Sequence, residues 1–121
     1  MNGNGERESP QRPEDIARLM AERFNSGDID GIVALYEPEA VISLPGSGVV
    51  RGQEEIRNGW ERLKAMGATV DLEEERPALR SGDLALTSRL TADGTVNVEV
   101  ARRQPDGSWR WVIDQPNATK W

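Results

Sequence analysis

The chain of 121 residues contains no histidine and no cysteine. Without cysteine there is no disulfide and no thiol chemistry, and the composition is compatible with a reducing cytosol. Histidine is the commonest general base near neutral pH and the commonest transition-metal ligand. Acid–base chemistry in this chain would therefore depend on carboxyl groups whose surroundings shift their pKa values.

Long apolar runs are absent as well. No run approaches the length that crosses a bilayer, and the first twelve residues, MNGNGERESPQR, lack the apolar core of a secretory signal. We therefore expect a cytoplasmic protein without a membrane partner. Basic residues are outnumbered, with 15 Lys and Arg against 21 Asp and Glu and a net charge of −6. This balance argues against nucleic-acid binding, since phosphate contacts need clustered cations.

The first half of the chain carries helix signals. We predict a flexible polar tail at residues 1–12, followed by one domain at residues 13–121. A first helix begins near Pro13 and ends at Gly27, and Asp28 can cap a short second helix. A strand at residues 40–44 precedes a third helix, in which Gly59 indicates close approach of a neighbouring element. The apolar stripes of the first and third helices are Ile16, Leu19, Met20 and Phe24, and Ile56, Trp60 and Leu63.

Beyond Gly67 the apolar period changes to two, which is typical of strands. Candidate strands span residues 68–76, 84–92, 95–104 and 109–115. Asp93 and Gly94 form a strong hairpin signal, and residues 105–107 form a second turn. Helices followed by a strand meander predict an α+β fold, with three N-terminal helices packed on one face of a strongly curved antiparallel sheet.

Two segments carry a family resemblance. Residues 27–56 contain a Gly-Asp pair before the short helix, an L-Y-x-x-x-A turn and an R-G-x-x-x-I helix start, and residues 105–117 contain D-G-x-W-R before the last strand. Over residues 13–117 the chain resembles the SnoaL-like and ketosteroid-isomerase-like branch of the NTF2-like superfamily. The resemblance implies a cystatin-like cone with a pocket on the concave side of the sheet. The superfamily hosts isomerases, cyclases, hydrolases and plain binding modules.

Three polar groups serve the ketosteroid isomerases in that pocket. Carried over by the resemblance, the aspartate base falls on Leu44, the tyrosine on Met20 and the protonated acid on Glu99. Two of these three positions are apolar here. We therefore do not expect proton shuttling on a steroid by that mechanism.

Glu99 and Asp114 are the candidate catalytic residues. Glu99 is either a pocket acid with a raised pKa or a solvated strand residue, and Asp114 is either a general base or ligand anchor, or a strand-end acid bonded to a loop. If both face the cavity, they can form a coupled pair in which one carboxyl stays protonated. An arrangement like that of the limonene-epoxide hydrolases would also need Arg89, but strand alternation predicts an exposed or interface role for that residue.

Further residues are predicted to line the pocket. Trp60 is a pocket wall or plain core, and Tyr36 places its hydroxyl in the cavity or packs in the core. Alternation along the last strand places Val112 with Asp114, opposite the neighbouring tryptophans. The candidate ligand-binding residues are Met20, Tyr36, Leu44, Trp60, Leu86, Ser88, Asn97 and Val112.

The sequence predicts a small-molecule pocket protein. The ligand would be hydrophobic and carbonyl-bearing, and the protein would be a cofactor-independent isomerase, cyclase or hydrolase; the alternative is a non-catalytic ligand-binding or dimerisation module. We expect no metal, because the glutamates at residues 73–75 alternate between faces of a strand. Two apolar sets predict a homodimer through the outer sheet face: Val96, Val98 and Val100, and Trp109, Trp111 and Ile113.

Overall fold

A computed structural model of the chain describes residues 7–71 and 74–118. The helices are α1 (Asp15–Asn25), α2 (Ile29–Val33) and α3 (Gly52–Ala65). The strands are β1 (Tyr36–Leu44), β2 (Gly48–Arg51), β3 (Glu74–Glu75), β4 (Leu79–Ser81), β5 (Leu84–Leu90), β6 (Val96–Arg103) and β7 (Trp109–Gln115). The predicted α+β fold, with helices preceding most of the sheet, is confirmed.

Local sequence signals account for the helices. The apolar stripe of α1 is buried, and the Asp28 side chain accepts a hydrogen bond from the backbone N–H of Gly31 at 3.1 Å, which caps α2. In α3, Gly59 lies against β1: a Cβ at this position would be 2.4 Å from Cδ1 of Leu44. The close approach expected at this glycine is therefore present, and it brings α3 tightly onto the sheet.

The sheet has the strand order β2-β1-β7-β6-β5-β3, with β4 also pairing with β5. All pairs are antiparallel except β1 and β7, which are parallel. The expectation of a wholly antiparallel sheet is wrong at this pair. Hairpin signals report only neighbours in sequence, whereas β1 and β7 are joined by a long connection through α3 and the meander, which permits parallel pairing.

A β-bulge interrupts β7. Its register against β6 passes from Ile113 opposite Val100 to Trp111 opposite Ala101, so Val112 is the extra residue. As a result Trp111 and Asp114 are both buried on the same side, while Ile113 is 49% exposed. The predicted alternation along this strand, which grouped Val112 with Asp114 and opposed them to Trp111, is wrong because the bulge shifts the period by one residue.

The two faces of the sheet differ. The inner face packs against the helices and carries Ala85, Thr87, Arg89, Glu99 and Ala101, all of which are buried. The outer face carries Leu84, Leu86, Leu90 and Ile113, with exposures of 42%, 39%, 42% and 49%. Trp109 and Trp111, expected on the outer face, belong to the core.

The segment before α1 lies against the domain. The backbone N–H of Trp109 donates to the carbonyl of Pro10 at 3.0 Å, and Arg7 forms an ion pair with Asp28 at 2.8 Å. Of the predicted tail at residues 1–12, residues 1–6 lie outside the described part of the chain. Within residues 7–71 and 74–118, no helix combines the length and the hydropathy needed to cross a membrane.

Candidate functional site

A cavity of about 350 Å³ lies between α1, α3 and the inner face of the sheet. Most of its wall is apolar and comes from both helices and from β1. The main apolar residues are Met20, Phe24, Ile42, Leu44, Trp60 and Leu63. The polar side chains are Glu14, Arg18, Thr69, Asp71, Glu75, Arg89, Asn97 and Asp114. Such a wall fits a largely apolar molecule with few polar groups.

Asp114 places a buried carboxyl in the cavity wall. The residue is 6% exposed, and the hydroxyl of the fully buried Tyr36 donates to its Oδ2 at 2.8 Å. Tyr36 is itself held by Trp111, with the two rings edge to face at 5.4 Å. Burial raises the pKa of Asp114 to about 8; the charge of Glu99 adds to the rise, and the hydrogen bond from Tyr36 opposes it. At pH 7 this carboxyl is therefore mostly protonated and can donate a hydrogen bond.

Glu99 lies behind the cavity wall. It is 1% exposed, accepts a hydrogen bond from Thr87 Oγ1 at 2.7 Å, and its Oε2 lies 2.9 Å from Arg89 Nη1. These last two atoms are within ion-pair distance but off the direction of a hydrogen bond, so the pair is held by charge. Burial raises the pKa of Glu99, and Arg89 and Thr87 oppose the rise. Arg89 lines the cavity, whereas Glu99 does not.

Sheet register brings these groups together. Glu99 pairs with Asp114 across β6 and β7, and with Thr87 across β5 and β6. Arg89 is 7% exposed on the same face. The expectation that Arg89 is an exposed or interface residue is wrong, because β5 turns its Ala–Thr–Arg side inward and its leucine side outward. Arg89 therefore shares the inner face with Glu99 and Asp114, although strand alternation had placed it on the other face.

The other candidate residues fall into three groups. Met20, Leu44, Trp60 and Asn97 line the cavity. Tyr36 lies behind Asp114 and is completely buried, so its hydroxyl reaches Asp114 rather than the cavity space. Leu86 and Ser88 lie on the outer face, and Val112 is the half-buried bulge residue; none of these three lines the cavity. The pairing of Leu86 with Val100 and of Ser88 with Val98 places them outside.

Glu75 was not among the predicted site residues. This residue lines the cavity from β3 and pairs with Arg89 across β3 and β5. Burial raises its pKa to about 7; Arg89 opposes the rise, and Glu99 and Glu14 add to it. Alternation places Glu74 and Glu75 on opposite faces of the strand, so one of these two had to face inward, and that was the available signal. Glu73 lies outside the described residues. Among the described residues, no group of three acidic side chains is arranged to hold a metal ion.

Comparison with known proteins identifies the family. The sequence model of the SnoaL-like domain matches residues 16–115. The chain belongs to the SnoaL-like domain family. No curated protein matches the sequence.

Solved structures agree with this SnoaL-like assignment at the level of fold. A ketosteroid isomerase-like protein from Erwinia carotovora atroseptica superposes with a TM-score of 0.65 at 22% identity, over 84% of this chain and 89% of that one. A protein of unknown function with a cystatin-like fold from Nostoc punctiforme gives 0.67 at 16% identity, over 84% of both chains. An NTF2-like protein from Novosphingobium aromaticivorans gives 0.63 at 19% identity, over 84% and 76%. The predicted NTF2-like fold is confirmed, and family and fold support a small-molecule-binding domain.

Proposed function

We propose that this SnoaL-like domain binds a hydrophobic, carbonyl-bearing small molecule in the cavity and acts on it by acid–base chemistry through Asp114. The observation that carries the proposal is a carboxyl that is buried in an apolar wall, hydrogen-bonded on one oxygen by Tyr36, and raised in pKa to about 8. An acid with a pKa near the working pH is suited to both giving and taking a proton.

The chemistry follows from the position of the proton. Tyr36 donates to Oδ2 of Asp114, so the acidic proton resides on Oδ1 and is available to a ligand oxygen. Donation to a carbonyl oxygen stabilises the negative charge that develops there when a neighbouring C–H bond loses its proton to water or hydroxide from the solvent, or when a nucleophile adds. Isomerisation, aldol-type cyclisation and hydrolysis all share this polarisation step.

Glu99 acts in this proposal as a positioning residue rather than a catalytic one. It is held by Thr87 and Arg89 behind the wall, and its charge contributes to the raised pKa of Asp114. Arg89 keeps that charge in place, because an unpaired carboxylate at this depth would be strongly destabilising.

The proposal can be tested without knowing the natural substrate. Bound 2-acetylnaphthalene should exchange its methyl protons for deuterium in D₂O faster than in buffer alone, as measured by proton NMR. Asp114→Leu, which removes the donor, should abolish the acceleration, and Glu74→Gln, which removes an exposed carboxyl near the cavity, should leave it unchanged. Exchange in wild type no faster than in buffer, with the ketone bound, would overturn the catalytic part of the proposal.

The alternative is a non-catalytic binding or dimerisation module. It is favoured by Met20 and Leu44, which place apolar side chains in the cavity where the related isomerases carry polar ones. Binding of the ketone without exchange is the result that this alternative predicts.

We also propose a homodimer formed through the outer sheet face. Leu84, Leu86, Leu90 and Ile113 are between 39% and 49% exposed there, next to the part-buried Val96, Val98 and Val100. An apolar sheet face of this extent in a small domain is typical of a subunit interface. Light scattering after gel filtration should give twice the chain mass, and Leu86→Arg should give a monomer. A monomeric wild type at tens of micromolar would count against the dimer.

A further inference from the structure

Glu75 and Asp114 both line the cavity from the sheet, on strands that are not neighbours. The strands between them run in the order β7-β6-β5-β3. At the usual strand spacing their backbones are separated by three intervals, or roughly 14 Å. Apolar side chains from the two helices cover the space between them, including Met20 and Trp60. The sheet wall of the cavity therefore carries two separated carboxyls, Glu75 and Asp114, which face a mainly apolar helical wall.

The surroundings of Glu75 leave it available as a hydrogen-bond acceptor. Its side chain is half-buried. Its Oε2 is itself buried and has no hydrogen-bond partner among the residues that the structure describes, so it is an acceptor without a donor. Arg89, the cation nearest in the strand register, is already paired with Glu99 at 2.9 Å. Glu14 and Asp71 line the same region and add negative charge, which disfavours an anionic ligand group.

We propose that Glu75 is a second binding residue of this cavity and accepts a hydrogen bond from a hydroxyl group of the ligand. The inference rests on the proposed function, in which Asp114 holds the carbonyl. It narrows the ligand class to an elongated apolar molecule of at least two fused rings, with a carbonyl at one end and a hydroxyl at the other. A single-ring ketone could engage only one of the two carboxyls.

Two probes with the same ring system and the same ketone test this inference. 6-Hydroxymethyl-2-acetylnaphthalene can donate a hydrogen bond at its far end, and its methyl ether cannot. Each probe is titrated into the protein, and binding is followed by tryptophan fluorescence. The measured quantity is the ratio of the two dissociation constants. Because both probes engage Asp114 in the same way, the ratio cancels any effect of Asp114 on binding.

Wild type should bind the alcohol about tenfold more tightly than the ether at pH 7.5, which corresponds to one hydrogen bond to a charged acceptor. The preference should fall to about threefold at pH 5.5, where Glu75 is protonated. Glu75→Met should bring the ratio to about one at both pH values, and Glu74→Met, which changes the exposed neighbour, should leave it as in wild type. If Glu75→Met does not fold, Glu75→Gln replaces it and should abolish the pH dependence of the ratio.

The outcomes separate this inference from the function on which it rests. If both probes bind and both are weakened by Asp114→Leu, but the ratio is the same in Glu75→Met as in wild type, the role of Glu75 is overturned and the role of Asp114 stands. If neither probe binds wild type, or Asp114→Leu binds both as well as wild type does, the proposed function fails and the inference fails with it.

Discussion

Replacing Asp114 by asparagine should change how the stability of the protein depends on pH. In the folded protein Asp114 holds its proton up to a pKa of about 8, whereas the ordinary value is 3.8. Between these values the folded state binds more protons than the unfolded state, so the free energy of unfolding falls as pH rises. Asparagine cannot ionise, and it keeps an oxygen that can accept the hydrogen bond from Tyr36. The variant should therefore lack this part of the pH dependence.

The magnitude follows from proton linkage. Each pH unit inside this window is worth about 1.4 kcal/mol for one proton. From pH 5 to pH 8 the stability of Asp114→Asn relative to wild type should therefore rise by roughly 4 kcal/mol. Part of the shift comes from the charge of Glu99, so the rise should be smaller when the same substitution is made in a Glu99→Gln background.

Urea unfolding at pH 5, 6, 7 and 8, followed by tryptophan fluorescence, measures the difference directly. The buried Trp60, Trp109 and Trp111 provide the signal. Glu74→Gln is the control for loss of one ionisable carboxyl from the sheet at an exposed position. A difference between Asp114→Asn and wild type that stays constant across this range would refute the assignment of a raised pKa to Asp114.

Three further substitutions test neighbouring contacts. Tyr36→Phe should lower the free energy of unfolding in urea by about 1–3 kcal/mol, because it leaves Oδ2 of a buried carboxyl without its donor. It should also raise the pKa of Asp114 further. An unchanged free energy of unfolding would show that Tyr36 does not hold Asp114. Arg89→Met should lower the free energy of unfolding by about 3–5 kcal/mol, because it leaves Glu99 without its cation. Adding Glu99→Met should recover most of this loss. A double variant as unstable as Arg89→Met alone would contradict this. Gly59→Ala gains roughly 1 kcal/mol of helix propensity, but the added methyl group pushes Leu44 towards the cavity. Calorimetry should therefore show weaker binding of 2-acetylnaphthalene, with little change in the free energy of unfolding. Unchanged affinity would mean that Leu44 moves elsewhere.

Elements with local signals were predictable from the sequence. The stripe Ile16, Leu19, Met20 and Phe24, the cap at Asp28 and the hairpin at Gly94 each depend on residues close together in the chain. Gly59 also gave a usable signal, because a glycine inside a helix needs a reason and the reason is Leu44.

The site was less predictable because it depends on long-range register. The bulge at Val112 decides that Asp114 faces inward, and no residue around it marks a bulge. Arg89 faces inward because Glu99 on the next strand compensates its charge, whereas composition alone favours the leucine side of β5 as the buried one. Glu75 reaches the cavity only through the pairing of β3 with β5, two strands with no hairpin signal between them.

We infer that Asp114 is a neutral carboxylic acid at pH 7. Carbon NMR of the side-chain carboxyl, assigned by its loss in Asp114→Asn, measures this directly in the unliganded protein. We expect a titration midpoint near 8. A midpoint at or below the ordinary value of 3.8 would contradict it, because the carboxyl would then be charged at pH 7 and unable to donate a hydrogen bond to a carbonyl.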